Sequence, residues 1–115
     1  MPHFPSVKIE VYIPEQYVER LRDELYKANA GRIGHYDHCI SVTQVKGYWR
    51  PLPGATPYKG EVEKISEGTE CKVEVNCRQE YVGEALKAIR RIHPYDEPLI
   101  NVIPLINHIF EENKE

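Results

Sequence analysis

The sequence is poor in cysteine and lacks any long apolar run. Its three cysteines, Cys39, Cys71 and Cys77, are odd in number and include no C-x-x-C pair, which argues against a disulfide framework or a zinc ribbon and favours reduced thiols. No 18 consecutive residues are apolar, and the start of the chain has no basic region followed by an apolar stretch. We therefore expect no membrane association and predict a cytoplasmic protein.

An excess of positive charge is also absent. The formal net charge is -3 at pH 7, which gives no electrostatic reason to expect a nucleic acid partner. The chain has 115 residues, of which 41% are hydrophobic and 29% charged, as in soluble globular proteins that bury a core without disulfides or a structural metal. We predict a single domain over residues 1–115.

Hydrophobic periodicity changes along the chain in a repeated order. Alternating apolar residues predict strands at about 7–13, 36–46, 71–77 and 99–103, and helical spacing predicts helices at about 14–30 and 79–92. Cys71 and Cys77 should point toward the core. The order strand, helix, strand, strand, helix, strand predicts a ferredoxin-like α+β sandwich, in which both helices cover one face of an antiparallel sheet.

Two glycines and a dense polar cluster follow the first predicted helix. Gly31 and Gly34 can adopt positive φ, so they can end the helix and turn the chain into the second strand. The cluster consists of His35, Tyr36, Asp37, His38 and Cys39. Because strand side chains alternate, Tyr36 and His38 should share one face and Asp37 and Cys39 the other. The cluster therefore needs residues from elsewhere to complete a ligand set.

The candidate metal ligands are His35, His38, Cys39 and His93, because imidazole and thiolate suit a divalent transition metal such as copper or zinc. Their spacing is not that of a zinc motif, so hydrogen-bonded structural roles remain the alternative. A second alternative is an enzyme that acts through His38, His93 and Glu97 in a cleft between subunits. A binding module is favoured over an enzyme, since the sequence contains no P-loop, dinucleotide fingerprint or G-x-S-x-G turn.

A loop rich in glycine, proline and aromatic residues separates the two halves of the predicted fold. It covers residues 47–60, and loops of this kind carry contacts. Its aromatic residues either bind a ligand or, as we favour, pin the loop to its own domain or to a neighbouring subunit. The candidate ligand or interface residues are Tyr36, Trp49, Tyr95 and Glu97.

Two motifs carry a resemblance to a known family. The run GRIGHYDHC at residues 31–39, followed by RPLPGATPYKGEVEKI at residues 50–65, resembles the middle, inserted domain of the YqfO-type (Nif3-like) proteins. The run HPYDEP at residues 93–98 is similar to the end of that domain and to the HPYE-P motif of the CutA family. The resemblance implies a PII/CutA-like fold. The metal-binding hydrolase-like domain that flanks the insert in those proteins has no counterpart in this sequence, so no catalytic residue carries over.

The resemblance also implies an assembly. The CutA family forms trimers, and its members are named for tolerance of divalent cations. We therefore expect a homo-oligomer, and specifically a trimer. The resemblance also implies binding of a small ligand or a metal ion at subunit boundaries, and it implies no established enzymatic activity. Aromatic residues expected on the uncovered sheet face support subunit packing there. They are Tyr12, Tyr36, His38 and Trp49.

Overall fold

The strands and helices follow the predicted order. A computed structural model describes residues 3–111. Its main elements are β1 (Ser6–Ile13), α1 (Val18–Lys27), β2 (Ser41–Trp49), β3 (Ser66–Arg78), α2 (Val82–Ile92), β4 (Ile100–Pro104) and the short α3 (Asn107–Phe110). Short 3-10 turns at Glu15–Tyr17 and Gln79–Tyr81 lead into α1 and α2. Within residues 3–111, no helix has the length and apolar character needed to cross a bilayer.

The sheet is antiparallel, with strand order β2-β3-β1-β4. Its two central strands, β1 and β3, bury alternate side chains against α1 and α2, which lie on one face. This arrangement follows from the period-two pattern of both strands, since only one face of each is apolar. The predicted ferredoxin-like sandwich is confirmed.

The core lies between the two central strands and the two helices. Ile9 and Val11 of β1 are completely buried, as are Leu21 of α1 and Ile89 of α2. Fully burying a side chain of this size stabilises the fold by about 1.5–3 kcal/mol. The two cysteines of β3, Cys71 and Cys77, are free thiols buried in this core, as predicted. Burial raises the pKa of the Cys77 thiol to about 11, so it remains protonated and unreactive at neutral pH.

The segment after α1 differs from the prediction. Strand β2 begins at Ser41 instead of residue 36, and residues 31–39 form a closed loop, which we call the hinge loop. The Gly31 N–H donates to the Asn76 carbonyl, and the Cys39 N–H donates back to the Gly31 carbonyl, both over 2.9 Å. Gly31 and Gly34 have the predicted positive φ, but so does His38, at 60°. The predicted alternation of Tyr36 and His38 against Asp37 and Cys39 is therefore wrong.

The hairpin of β2 and β3 is longer than predicted. Trp49 pairs with Ser66 and Gly47 with Gly68, so the connecting loop covers residues 50–65 instead of 47–60. The hairpin extends beyond the end of β1, where Ile13 pairs with Cys71. Backbone pairing thus overrides the weak strand preference of glycine.

The sheet face opposite the helices is less aromatic than predicted. Tyr12 and Trp49 lie on this face, but Tyr36 and His38 are outside the sheet because β2 begins later. Charged residues on the same face are Lys8, Glu10, Lys72 and Glu74. The prediction of a broad aromatic face is wrong in this respect, although Tyr12 and Trp49 prove to line a cavity.

Candidate functional site: a cavity at the end of the sheet

A cavity of about 820 Å³ lies where the β2–β3 hairpin extends past β1. The loop of residues 50–65, which we call the covering loop, forms one side, and the turn of residues 93–98 after α2, the HPYDEP turn, forms another. The walls are rich in aromatic and proline side chains, including Trp49, Tyr58 and Tyr95. Small-molecule sites typically have volumes of about 300–1,000 Å³ with mostly apolar walls and a few polar groups. The cavity fits that description.

Side-chain hydrogen bonds tie the covering loop to neighbouring elements. The indole Nε1–H of Trp49 donates to the Lys59 carbonyl over 2.9 Å. Gln16 donates to the Tyr58 hydroxyl over 3.0 Å, and the Thr56 N–H donates to a carboxylate oxygen of Asp96 over 2.9 Å. That N–H bond holds the pKa of Asp96 below its ordinary value. The loop is thus attached to β2, to the turn before α1 and to the HPYDEP turn.

His93 anchors the HPYDEP turn to the end of β1. Its Nε2 lies 2.7 Å from the carbonyl oxygen of Tyr12, and the N–H of Tyr95 lies 3.2 Å from its Nδ1. A carbonyl only accepts and an N–H only donates, so Nε2 carries the proton and Nδ1 accepts. This pattern requires a neutral imidazole. Burial also favours the neutral imidazole, because it lowers the pKa of His93.

Tyr95 and Glu70 connect this turn to β3. The Tyr95 hydroxyl donates to Glu70 Oε1 over 2.9 Å. Burial, with a further contribution from the Glu70 carboxylate, raises the pKa of Tyr95 far above its ordinary value. The tyrosine therefore remains a neutral donor. The ring of Tyr95 also packs against Tyr58, with centroids 5.7 Å apart.

Two glycines that face each other across the hairpin leave room for charged side chains. They are Gly47 and Gly68, which we call the glycine floor. Oε2 of Glu70 lies 2.7 Å from the position that a Cβ on Gly47 would take. Nζ of Lys59 lies 3.5 Å from the position of a Cβ on Gly68, and the indole of Trp49 lies 3.2 Å from it. A carboxylate and an ammonium group therefore lie above neighbouring points of the sheet.

The predicted site residues separate into two groups. Trp49, Tyr95 and Glu97 line the cavity, and His93 supports Tyr95 through the hydrogen bond just described. The other predicted residues, His35, Tyr36, His38 and Cys39, belong to the hinge loop.

The hinge loop lies at the opposite end of β1. It is bonded to Asn76, which pairs with Lys8 near the start of the strand. His93 bonds to Tyr12, near the end of the same strand. One chain therefore does not bring His38 to His93 and Glu97, and a site that uses all three needs a second subunit.

The hinge loop has its own polar contacts. His38 Nδ1 lies 2.7 Å from a carboxylate oxygen of Asp37, and Nε2 lies 3.8 Å from one of Asp23. The imidazole also stacks on Tyr26, with ring centroids 4.2 Å apart. Among residues 3–111, no group of three or more His, Cys, Asp or Glu side chains is arranged to hold a metal ion. Within one chain the donors do not fit copper or zinc, and the metal prediction stays a prediction for the assembled protein.

Several cavity residues were not singled out from the sequence as site residues. Lys59 and Glu70 carry the charges above the glycine floor, and Gln16 holds the covering loop through Tyr58. A glycine within a strand is a signal of close approach by another group. Gly47 and Gly68 are such glycines, but the sequence does not show that they pair with each other or which side chains approach them.

The sheet order and the two helices on one face define the structural class of the chain. It is a ferredoxin-like domain of the CutA and PII kind, with a loop cavity at one end of the sheet. CutA from Archaeoglobus fulgidus superposes with a TM-score of 0.65 at 23% identity, over 88% of this chain and 84% of that protein. At this level of identity the comparison shows a shared fold alone.

Comparison of sequences narrows the class. No family model matches the chain. It is 34% identical over 101 residues to a Bacillus subtilis protein named GTP cyclohydrolase 1 type 2 homolog, covering 88% of this chain and 27% of that protein. The protein of the same name from Listeria innocua is 36% identical over 109 residues, covering 94% of this chain and 29% of that protein. The chain thus spans little more than a quarter of the length of these curated relatives.

A solved structure agrees with the sequence comparison. The Bacillus cereus protein related to NIF3 superposes with a TM-score of 0.79 at 27% identity, over 93% of this chain and 27% of that protein. The predicted resemblance is confirmed: the chain is similar to one domain-sized part of Nif3-related proteins, and that part has a CutA-like fold.

Proposed function

We propose that this chain is an oligomeric module that binds a small ligand in the cavity at the end of the sheet. The observation that carries the proposal is the cavity itself, with a volume of about 820 Å³ and walls formed by aromatic side chains of three separate elements. Sites of this size that combine apolar walls with a few polar groups are typical of small-molecule binding.

Ligand binding in the cavity would regulate a partner protein through the position of the covering loop. Its bonds from Thr56 to Asp96 and from Gln16 to Tyr58 are exposed to solvent, where single hydrogen bonds contribute only about 0.5–1.5 kcal/mol. A ligand that contacts Tyr58 from within the cavity would therefore shift the loop between positions of similar free energy. A partner protein that contacts the loop from outside would sense that shift.

We further propose that the module assembles as a homotrimer. The similarity of its fold to the CutA proteins supports this proposal. Exposed apolar side chains near the end of the described chain provide surface for subunit contact, since Ile109 is 63% and Phe110 is 78% exposed.

Trp49 provides a direct test of ligand binding, because it is the only tryptophan in the sequence and it lines the cavity. A thermal-shift screen of common metabolites should yield compounds that raise the melting temperature, and these should change Trp49 fluorescence saturably. Tyr58→Ala should abolish the response, whereas Tyr36→Ala, in the hinge loop, should retain it. Compounds that act equally on both variants, or a screen without any stabilising compound, would reject the proposal.

A further inference from the structure

We propose that the ligand is a small zwitterion, specifically an amino acid with an apolar or aromatic side chain, held by Glu70 and Lys59 above the glycine floor. This inference deepens the proposed function and rests on it. Its basis is a pair of opposite charges that the fold places side by side in a cavity with aromatic walls.

The position of the charges follows from strand pairing. Gly47 and Gly68 are directly opposite each other, and the Cβ positions of such residues are about 5 Å apart on the same face. The Glu70 carboxylate lies next to one of these positions and the Lys59 ammonium next to the other. The α-ammonium and α-carboxylate groups of an amino acid are bonded to a single carbon. They can therefore contact two neighbouring, oppositely charged groups at once.

Both charges are free of ionic partners within the described chain. None of the ion pairs among residues 3–111 includes Glu70, Lys59 or Arg50, which also lines the cavity. The side-chain partner of Glu70 is the hydroxyl of Tyr95, a neutral donor that leaves the carboxylate charge uncompensated. A ligand ammonium would supply that compensation, and a ligand carboxylate would do so for Lys59 and Arg50.

A ligand with a single charge fits less well. A simple amine would leave Lys59 without an ionic partner in the site, and a simple acid would do the same to Glu70, so each forms one charge pair where the zwitterion forms two. Each charge pair that is not formed forgoes the contribution of a charge-assisted hydrogen bond. The remaining walls, formed by Trp49, Tyr58 and Tyr95, favour an apolar or aromatic side chain on the ligand.

Three matched compounds test the charge requirement: L-phenylalanine, phenethylamine, which lacks the carboxylate, and 3-phenylpropionate, which lacks the ammonium. Binding is measured through Trp49 fluorescence and by calorimetry, with L-leucine and L-methionine as further amino acids. At least one amino acid should bind about tenfold or more tightly than its single-charge analogues, since one satisfied charge pair contributes about 1.4 kcal/mol or more.

Two substitutions assign the charges. Glu70→Gln keeps an acceptor for Tyr95 and should reduce the affinity of the amino acid to that of its deaminated analogue. Lys59→Gln should reduce it to that of the amine. Matched controls are Glu67→Gln on β3 and Lys46→Gln on β2. These two residues pair with each other over 2.8 Å, and neither lines the cavity. All four variants should retain the melting temperature of the parent within a few degrees.

The outcomes separate this inference from the proposed function. Equal affinity for zwitterion, amine and acid would overturn the inference while leaving small-ligand binding intact. So would the absence of amino acid binding when the metabolite screen finds another ligand in the same cavity. If neither the screen nor the panel gives a response, both are rejected.

Discussion

The imidazole of His93 donates from Nε2 to the carbonyl of Tyr12 over 2.7 Å and thereby joins the HPYDEP turn to the end of β1. Its other nitrogen accepts from Tyr95, which lines the cavity and holds Glu70. A single neutral side chain thus links the end of the sheet, the turn and the carboxylate above the glycine floor.

The first prediction concerns stability and pH. Burial lowers the pKa of His93 from its ordinary value of 6.5, so the unfolded chain binds the proton more readily than the folded chain. Its contribution is therefore fully present above pH 6.5 and decreases as the pH falls toward the lower pKa of the folded state. We expect the melting temperature to drop over this acidic range.

Substitution of His93 should remove that part of the pH dependence. His93→Gln should lower the stability at neutral pH by about 1–3 kcal/mol, because it disturbs two hydrogen bonds of the turn. It should also give a shallower decline of melting temperature below pH 6.5. His35→Gln is the control, since His35 is exposed. An identical pH profile in the parent and in His93→Gln would show that His93 does not couple protonation to folding.

The second prediction distinguishes the two glycines of the hinge loop. A Cβ on Gly31, where φ is 79°, would lie 2.9 Å from the backbone oxygen of Cys39, whereas a Cβ on Gly34, where φ is 56°, would have no atom within 4 Å. Gly34→Ala should therefore lower stability by the left-handed strain alone, about 1–2 kcal/mol. Gly31→Ala adds a backbone clash and should lower it further.

Valine substitutions at Gly31 and Gly34 should lower stability more than the alanine substitutions do. Gly34→Val places a β-branched side chain in a strained backbone region and should exceed Gly34→Ala in effect. Denaturant unfolding of the four variants, alanine and valine at each position, should rank both Gly31 variants as less stable than their Gly34 counterparts. The reverse order would mean that the hinge loop moves easily away from Gly31.

The fold could be predicted because its signal is local and repeated. The alternation in β1 and in the inner part of β3, and the helical spacing of α1 and α2, each depend on one element with one buried face. Backbone loops were less predictable. The hinge loop closes through bonds between Gly31, Cys39 and Asn76, and Asn76 is distant in sequence, so residues 36–40 were assigned to a strand.

The site could be predicted only in part. Trp49, Tyr95 and Glu97 belong to recognisable motifs and do line the cavity. Glu70 and Lys59 reach it only because Gly47 pairs with Gly68, a register that no local pattern reveals. One chain also does not bring His38 to His93, and their meeting in an assembly stays a prediction. The hinge loop after α1 and the HPYDEP turn after α2 lie at opposite ends of β1.

The third prediction concerns copper and zinc. If a metal site forms between subunits from His35, His38, Cys39 and His93, titration should give saturable binding that falls about tenfold or more in both His38→Ala and His93→Ala. Loss in His38→Ala alone would locate the metal at the hinge loop, near Asp23 and Asp37. Unchanged affinity in both variants would leave these histidines as structural groups.

The fourth prediction is that the protein is a trimer at micromolar concentration, measured by light scattering after gel filtration. Phe110→Ser should weaken the assembly if the exposed apolar end of the described chain contacts a neighbour. A dimer would keep the argument from exposed apolar surface and reject the analogy with CutA. A monodisperse monomer would reject both.

The fifth prediction uses the glycine floor to separate folding from binding. A Cβ on Gly47 would meet Oε2 of Glu70 at 2.7 Å, and this atom is the end of a flexible side chain that can move. Gly47→Ala should therefore change the stability by less than about 1 kcal/mol, since alanine is also favoured over glycine within a strand. Because the carboxylate is displaced, ligand affinity should fall as it does in Glu70→Gln.

Gly68→Ala should behave differently, because its Cβ would lie 3.2 Å from the rigid indole of Trp49, which is tied to Lys59 by a hydrogen bond. It should shift Trp49 fluorescence without ligand and lower the melting temperature. Gly83→Ala is the control, since Gly83 is an exposed glycine in the first turn of α2 with no atom within 4 Å of its added Cβ, and alanine there should not lower the stability of the protein. If Gly47→Ala bound ligand as tightly as the parent, Glu70 would not contact the ligand above Gly47, and the carboxylate would have to act from another position.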